Sequence, residues 1–190
     1  MEEQRNLSRK FFCTDGFYRR ILVYYATLLK YVGILVPHPS FGKQLSTSHI
    51  KKRYFNAQAY LDRMNLQERF TSIALRVLVE GAYYGVVNQI DKEKFILLDL
   101  PTSFCQSRFK DLEGNDIIEF NVEYFNKFDE NLREHILASY PKEIRNYYRR
   151  WMKGKENLSP WYIIGGDASV YFNLYEDTMP PFLPVIPATL

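Results

Sequence analysis

The sequence predicts an α+β protein in which helices pack on short antiparallel sheets and hairpins. Three observations carry that prediction. Apolar residues recur at three- and four-residue spacing up to about residue 81. From Ala82 the pattern changes to short runs rich in Tyr, Val, Ile and Phe, separated by polar or Gly-containing turns. Helical patterns then resume without the strand–helix–strand regularity of a doubly wound parallel sheet. At 190 residues, 46% hydrophobic and 16% aromatic, the chain has enough apolar material for a substantial core. It reads as one domain over residues 1–190, helical over 15–81 and mixed strand and helix over 82–190.

Thr14 or Asp15 can cap a first helix from about Phe17 to about Tyr31, with Ile21, Tyr24, Tyr25, Leu28, Leu29 and Val32 on one face. Gly33 and Pro37-His38-Pro39 are expected to end it. A second helix is expected from near Ile50 through Tyr60 to Met64. Asn65 then heads a capping pattern, with Glu68 reaching back, for a helix carrying Phe70, Ile73, Ala74, Val77 and Leu78 on one face and stopping at Gly81. Tyr83 to Ile90 and Phe95 to Leu100 flank the polar turn Asp91–Lys94 and predict a hairpin. Phe104 to Phe109 and Ile117 to Phe120 predict two more strands across Asp111–Asn115, the set packing by its apolar side on the helices.

Asn121 can cap a helix over Val122–Phe128, and Asp129 one over Glu130–Ala138 with Leu132, Ile136 and Leu137 as its apolar side. Pro141 suits the first position of a helix that runs to about Met152 and ends at Gly154. Trp161–Ile164 and Val170–Leu174 are expected to pair as a hairpin across Gly165-Gly166-Asp167-Ala168, a turn needing positive φ. The Pro-punctuated apolar run from Pro180 to Leu190 reads as an extended lead into further structure.

Net charge is +3, but unevenly spread. Residues 1–70 hold 12 Lys/Arg against 5 Asp/Glu, and residues 71–190 hold 13 against 17. A basic leading third could face nucleic acid or an acidic neighbour, although solvated helix faces account for it as well. Tyrosine abundance suits half-buried surfaces such as subunit interfaces. Cys13 and Cys105 belong to no CxxC and read as free thiols of a reducing compartment. No signal peptide is visible, and Phe17–Val36 contains Arg19, Arg20 and Lys30, whereas a spanning helix needs ~20 apolar residues. The expectation is a soluble intracellular protein with no membrane contact.

The sequence carries no recognisable catalytic or metal-binding motif. His38, His49 and His135 lie apart, with no metal-ligand spacing. No GxSxG occurs, Cys105 has no local partner, and Gly165-Gly166-Asp167 lacks the Lys of a phosphate loop. Asp99, Glu119 and Asp177 are scattered carboxylates that sequence does not bring together. No catalytic, cofactor-binding or metal-binding residue is nominated, no cofactor is expected, and the chain is read as a non-enzyme. Arg145, Tyr147, Tyr148, Arg149, Arg150, Trp151 and Lys153 interleave aromatic and basic side chains, which could contact phosphates or stack on bases. The favoured account has Tyr148 and Trp151, three apart, packing inward while the arginines are solvated or pair with acids. Lys51-Lys52-Arg53 opposes the dipole at a helix start and invites an acidic partner.

Five segments, in order, resemble the wing region of tailed-bacteriophage portal (head–tail connector) proteins. They are Phe17–Ala26 with the apolar stretch to Pro37; Gly81-Ala82-Tyr83-Tyr84-Gly85-Val86-Val87; Leu100-Pro101-Thr102-Ser103-Phe104-Cys105; Gly114 to Phe125, reading G-x-x-x-x-x-F-N-x-x-Y-F; and Pro180-Pro181-Phe182-Leu183-Pro184-Val185-Ile186. The likeness rests on order and spacing, since no single piece is diagnostic. It implies a structural virion protein, the N-terminal part of a longer chain, in a homo-oligomeric ring usually of about twelve subunits with heterologous interfaces. Such a ring is assembled in the host cytoplasm and sits at the portal vertex of the capsid, with double-stranded DNA packaged and ejected through its channel. The major capsid protein, the terminase and neck or tail proteins are the partners it implies. No candidate for the portal stem or clip is present, so no DNA-facing residue is carried over. The alternative is a nucleic-acid-binding module using the basic leading third and the Arg145–Lys153 helix. An enzyme built from dispersed acids ranks third.

Overall fold

The computed structural model describes residues 2–28, 36, 47–90, 95–112, 114, 116–154, 157–174 and 178–185. The architecture is α+β, with helices packed against two small antiparallel sheets of three strands each. Four helices come first: α1 (Glu2–Thr14), α2 (Gly16–Leu28), α3 (Thr47–Met64) and α4 (Leu66–Glu80). Strands β1 (Ala82–Gln89), β2 (Phe95–Asp99), β3 (Cys105–Lys110) and β4 (Asp116–Asn121) follow, then α5 (Glu130–Ser139) and α6 (Lys142–Met152), then β5 (Trp161–Ile164) and β6 (Ser169–Asn173). The expected ending of α2 at Gly33 and Pro37–Pro39, the turn at Asp91–Lys94 and residues 186–190 lie outside the described residues.

Helix α1 is absent from the sequence reading, and its buried side shows why. It turns Arg5 and Ser8 inward and adds only Phe11 and Phe12, partly buried near its end, so polar residues make up most of its covered side. The Ser8 hydroxyl and the Tyr18 hydroxyl of α2 share a hydrogen bond of 2.9 Å. Arg5 donates from Nε to the Glu80 carbonyl (3.0 Å) and from a terminal nitrogen to Thr178 Oγ1 (3.0 Å), so it sits at the negative end of the α4 dipole. A buried polar face is tolerated because its groups are hydrogen-bonded.

Asp15 caps α2 as expected, accepting from the backbone amides of Phe17 (2.8 Å) and Tyr18 (2.9 Å). The buried face of α2 differs from the one the spacing suggested. Tyr18, Leu22 and Ala26 face the core, while Tyr24, Tyr25 and Leu28 remain 61%, 48% and 53% exposed. The helix is apolar nearly all round, so two faces satisfied the period and packing against α1 and α4 chose the other one.

The capping box at Asn65 does not form. Asn65 adopts a left-handed conformation (φ 46°, ψ 55°), and its amide donates to the Glu68 carboxylate instead of capping backbone. Helix α4 otherwise follows its expected face, burying Ile73, Val77 and Leu78, with Phe70 and Ala74 partly covered. Gly81 ends it at φ 83°, its amide bonded to the Val77 carbonyl. A Cβ at Gly81 would overlap the backbone carbonyl of Thr178 as well as strain the left-handed turn. Gly81→Ala is therefore expected to lower stability by about 2 kcal/mol or more, read by urea denaturation; an unchanged midpoint would contradict this packing.

The β1–β2 hairpin forms as expected, in a register pairing Gly85 with Asp99 and Gln89 with Phe95. The later strands do not continue one sheet. The 3-10 turn Thr102–Phe104 carries the chain away, and β3 and β4 begin a second sheet of order β3-β4-β5, with a register shift between Ser107 and Phe109. The expected β5–β6 hairpin is likewise corrected. β5 pairs with β4, while β6 completes the first sheet in the order β2-β1-β6. Gly166–Ala168 forms a 3-10 turn between the sheets. Gly165 has φ −60°, and neither Gly165 nor Gly166 is among the glycines at positive φ. A Gly-Gly pair between two alternating runs reads the same for a hairpin and for a crossing.

Asn121 accepts from the Glu123 amide but caps a 3-10 helix, Val122–Lys127, where an α-helix was expected. Asp129 caps α5 through the Leu132 amide. Leu137 is fully buried on α5, whereas Leu132 stays 47% exposed. Pro141 precedes α6, and Gly154 follows it at φ 61°. The main core lies between the sheets and α5–α6, where Phe120, Val122, Phe125, Leu137 and Ile144 are at most 1% exposed. A second cluster, Tyr18, Leu22, Ala26, Leu78 and Val79, joins the helices.

Candidate interaction surface

Asp99 on β2 accepts from the Tyr83 hydroxyl (2.7 Å) and pairs with Arg76 (3.4 Å). Glu119 lies on β4 of the other sheet and holds Arg108 by two bonds, 2.8 and 3.1 Å. Asp99 and Glu119 thus belong to different sheets, and Asp177 falls outside the described residues. His49 and His135 are exposed on α3 and α5, and His38 also lies outside the described residues. Among the described residues no group of His, Cys, Asp and Glu could hold a metal ion, and no helix is long and apolar enough to cross a membrane.

Cys105 is buried at the start of β3, and burial pushes its thiol well above the usual range against the opposing charge of Arg5. Cys13 is exposed near the end of α1. One thiol is therefore expected to react rapidly with Ellman's reagent in the native protein and the second only on unfolding. Two fast equivalents would contradict this placement.

The aromatic and basic helix α6 uses its rings inward. Tyr148 is 3% exposed and donates to Asn126 Oδ1 (2.8 Å), with Trp151 half-buried beside it. Tyr147 packs on Tyr162 (4.9 Å) and donates to the Ser159 carbonyl (2.8 Å), while Arg149 pairs with Glu134 (2.9 Å). What remains outward is a basic edge without a stacking platform. Lys51, Lys52 and Arg53 are exposed on α3.

The conspicuous open surface is apolar. On α2, Phe17 and Tyr24 are 73% and 61% exposed, the Tyr24 ring meets that of Tyr25, and Tyr25 with Phe70, Ile73, Val77, Phe172 and Leu174 lines a groove of about 470 Å³. Residues from α2, α4 and the end of β6 meet there, and sequence spacing had no means of joining them. Tyr25 is held in place by the Phe182 ring (5.0 Å), from the Pro180–Pro181–Phe182 segment. Contiguous exposed aromatic surface of this kind marks an interaction face. A second, smaller pocket lies among Arg9, Arg76, Glu80, Thr102, Ser103 and Lys127, where Arg9 bridges Glu80 and Glu2. Its guanidinium is held more firmly protonated by those two carboxylates, although burial opposes the shift.

Compared with protein-family models, with curated proteins and with solved structures, the chain matches none.

Proposed function

We propose that this chain is the wing region of a tailed-phage portal subunit, a non-catalytic structural protein of the virion that assembles into a ring through which DNA is packaged and ejected. The observation that carries the reading is an exposed aromatic helix and the apolar groove formed where α2, α4 and the end of β6 meet. Such a surface suits assembly between subunits. Four of the five segments that resemble portals support it by where they fall. Gly81–Val87 is the helix-to-strand passage into the first sheet, Leu100–Cys105 the turn between sheets, Gly114–Phe125 the strand and 3-10 helix at the core, and Pro180–Phe182 the clasp on α2. In this reading the partners are further copies of the chain, the major capsid protein, the terminase and neck or tail proteins. The nucleic-acid-module reading has less to work with, because the rings of α6 are packed inward.

Immunogold labelling of virions with an antibody to this chain tests the proposal. Label at one vertex of each tailed capsid is the expected result. Label spread over the whole shell, or a chain found only outside particles, would sink it.

A further inference from the structure

Residues 178–185 lie as a strap over the helices, fastened at two points. At the first, Arg5 of α1 is 6% exposed and donates to Thr178 Oγ1 at 3.0 Å. The Thr178 carbonyl packs where only glycine leaves room, since a Cβ on Gly81 would overlap that oxygen. At the second, Pro180 is fully buried, and Phe182 packs on the cluster of Tyr18, Leu22, Ala26, Leu78 and Val79. Three features set the strap apart from settled core. Thr178 has φ 51°, a left-handed backbone in which a β-branched residue is strained. Pro180, Pro181 and Pro184 have no amide N–H with which to tie the segment down. Tyr25 serves strap and groove together: its ring lies 5.0 Å from that of Phe182 and forms a wall of the apolar groove with α4 and the end of β6.

We propose that residues 178–185 are a latch that opens while the rest of the fold stays intact, and that its state sets the shape of the groove. In the closed state, which the structure holds, Arg5 and the space over Gly81 keep Thr178 in its strained conformation. In the open state Thr178 relaxes to extended backbone, Pro180 and Phe182 leave the helices, and Tyr25 loses the ring that fixes it. The groove then runs past Tyr25 onto the seam of α2 and α4 that Phe182 had covered. The latch rests on the reading of the groove as an interaction face and adds a means of switching that face.

Amide hydrogen exchange of the 190-residue chain, read by peptide mass spectrometry for wild type, Thr178→Asn and Phe182→Ala, tests it. Fluorescence of added anilinonaphthalene sulfonate reads the exposed apolar surface of the same samples. Asparagine adopts the left-handed region more readily and offers Arg5 a side-chain oxygen, so Thr178→Asn favours the closed latch. Phe182→Ala removes the ring contact and favours the open one. Peptides from α6, which carries the buried Ile144 and Tyr148, verify that the fold is retained. The wild-type strap is expected to exchange at least about a hundredfold faster than α6, and about tenfold faster again in Phe182→Ala. Thr178→Asn should slow the strap, and α6 should remain the slower part in all three. Dye fluorescence should rise with Phe182→Ala and fall with Thr178→Asn. A strap that exchanges in step with α6, or that ignores both substitutions, would overturn the latch. Strap rates that change while dye fluorescence does not would overturn its hold on the groove. Each of these failures leaves the portal reading standing, because that reading is tested on virions.

Discussion

Above a pH of about 10, where the tyrosines of an unfolded chain ionise, the protein is expected to lose stability steeply. Tyr83, Tyr84 and Tyr140 are 1%, 2% and 5% exposed. Burial is the first cause that raises each hydroxyl above its ordinary range. For Tyr83 the bonded Asp99 carboxylate adds to burial, while Arg69 and Arg76 oppose it. For Tyr84 the neighbouring Tyr171 adds, and for Tyr140 the neighbouring Tyr124 does.

The direction follows from linkage. The folded pKa lies above the unfolded one, so below about pH 10 both states hold the proton and stability does not depend on these groups. Between the unfolded and folded values only the unfolded state ionises, and each group destabilises the fold by about 1.4 kcal/mol per pH unit. Three such groups remove about 4 kcal/mol per unit, against a total stability of about 5–15 kcal/mol for a typical domain. Urea midpoints measured up to pH about 11 should fall while tyrosinate absorbance rises as the chain unfolds. Tyr83→Phe should make the dependence shallower, since it removes one of the most strongly buried of these groups. A flat stability profile with free titration of all tyrosines would contradict the burial.

Phe125→Ala is expected to cost about 4 kcal/mol and leave the protein close to unfolding at room temperature. Phe125 is fully buried, and its ring meets those of Tyr140 (5.0 Å), Tyr148 (5.1 Å), Tyr124 (5.5 Å) and Phe120 (5.8 Å). These are edge contacts, the arrangement that aromatic quadrupoles favour. One side chain therefore ties the 3-10 helix to β4, α6 and the segment between α5 and α6. Truncation removes both its own burial and the surface the other rings rest on, and neighbours this rigid relax little. Phe125→Leu should cost clearly less because most of the volume remains. The fully exposed Leu112→Ala should lie within about 0.5 kcal/mol of wild type. Equal midpoints for all three in urea would mean that the aromatic cluster is not the core.

Local chemistry was legible in the sequence wherever one residue decides the outcome. Asp15 and Asp129 cap their helices, Gly81 and Gly154 end theirs at positive φ, and β1 and β2 pair antiparallel as expected. Features decided by packing were not. Helix α1 hides behind Arg5 and Ser8, which bury through hydrogen bonds. Helix α2 offers apolar residues on every side, so its period could not choose between Tyr18-Leu22-Ala26 and the face that ends at Leu28. The division into two sheets rests on two 3-10 turns whose sequences, Thr102-Ser103-Phe104 and Gly166-Asp167-Ala168, serve equally well as ordinary loops. The absence of a nominated site was a reading of motifs alone. The groove draws on Tyr25, the Phe70–Leu78 face of α4 and Phe172–Leu174, positions that only the fold brings together.

We propose that this chain works as a subunit of a closed ring. Native mass spectrometry of the assembly purified from virions measures subunit mass and subunit number at once. The account predicts one ring of about twelve identical subunits, each containing this sequence. A particle in which the chain is present as a monomer or dimer would contradict it, and salt-dependent DNA binding would then be the reading to pursue.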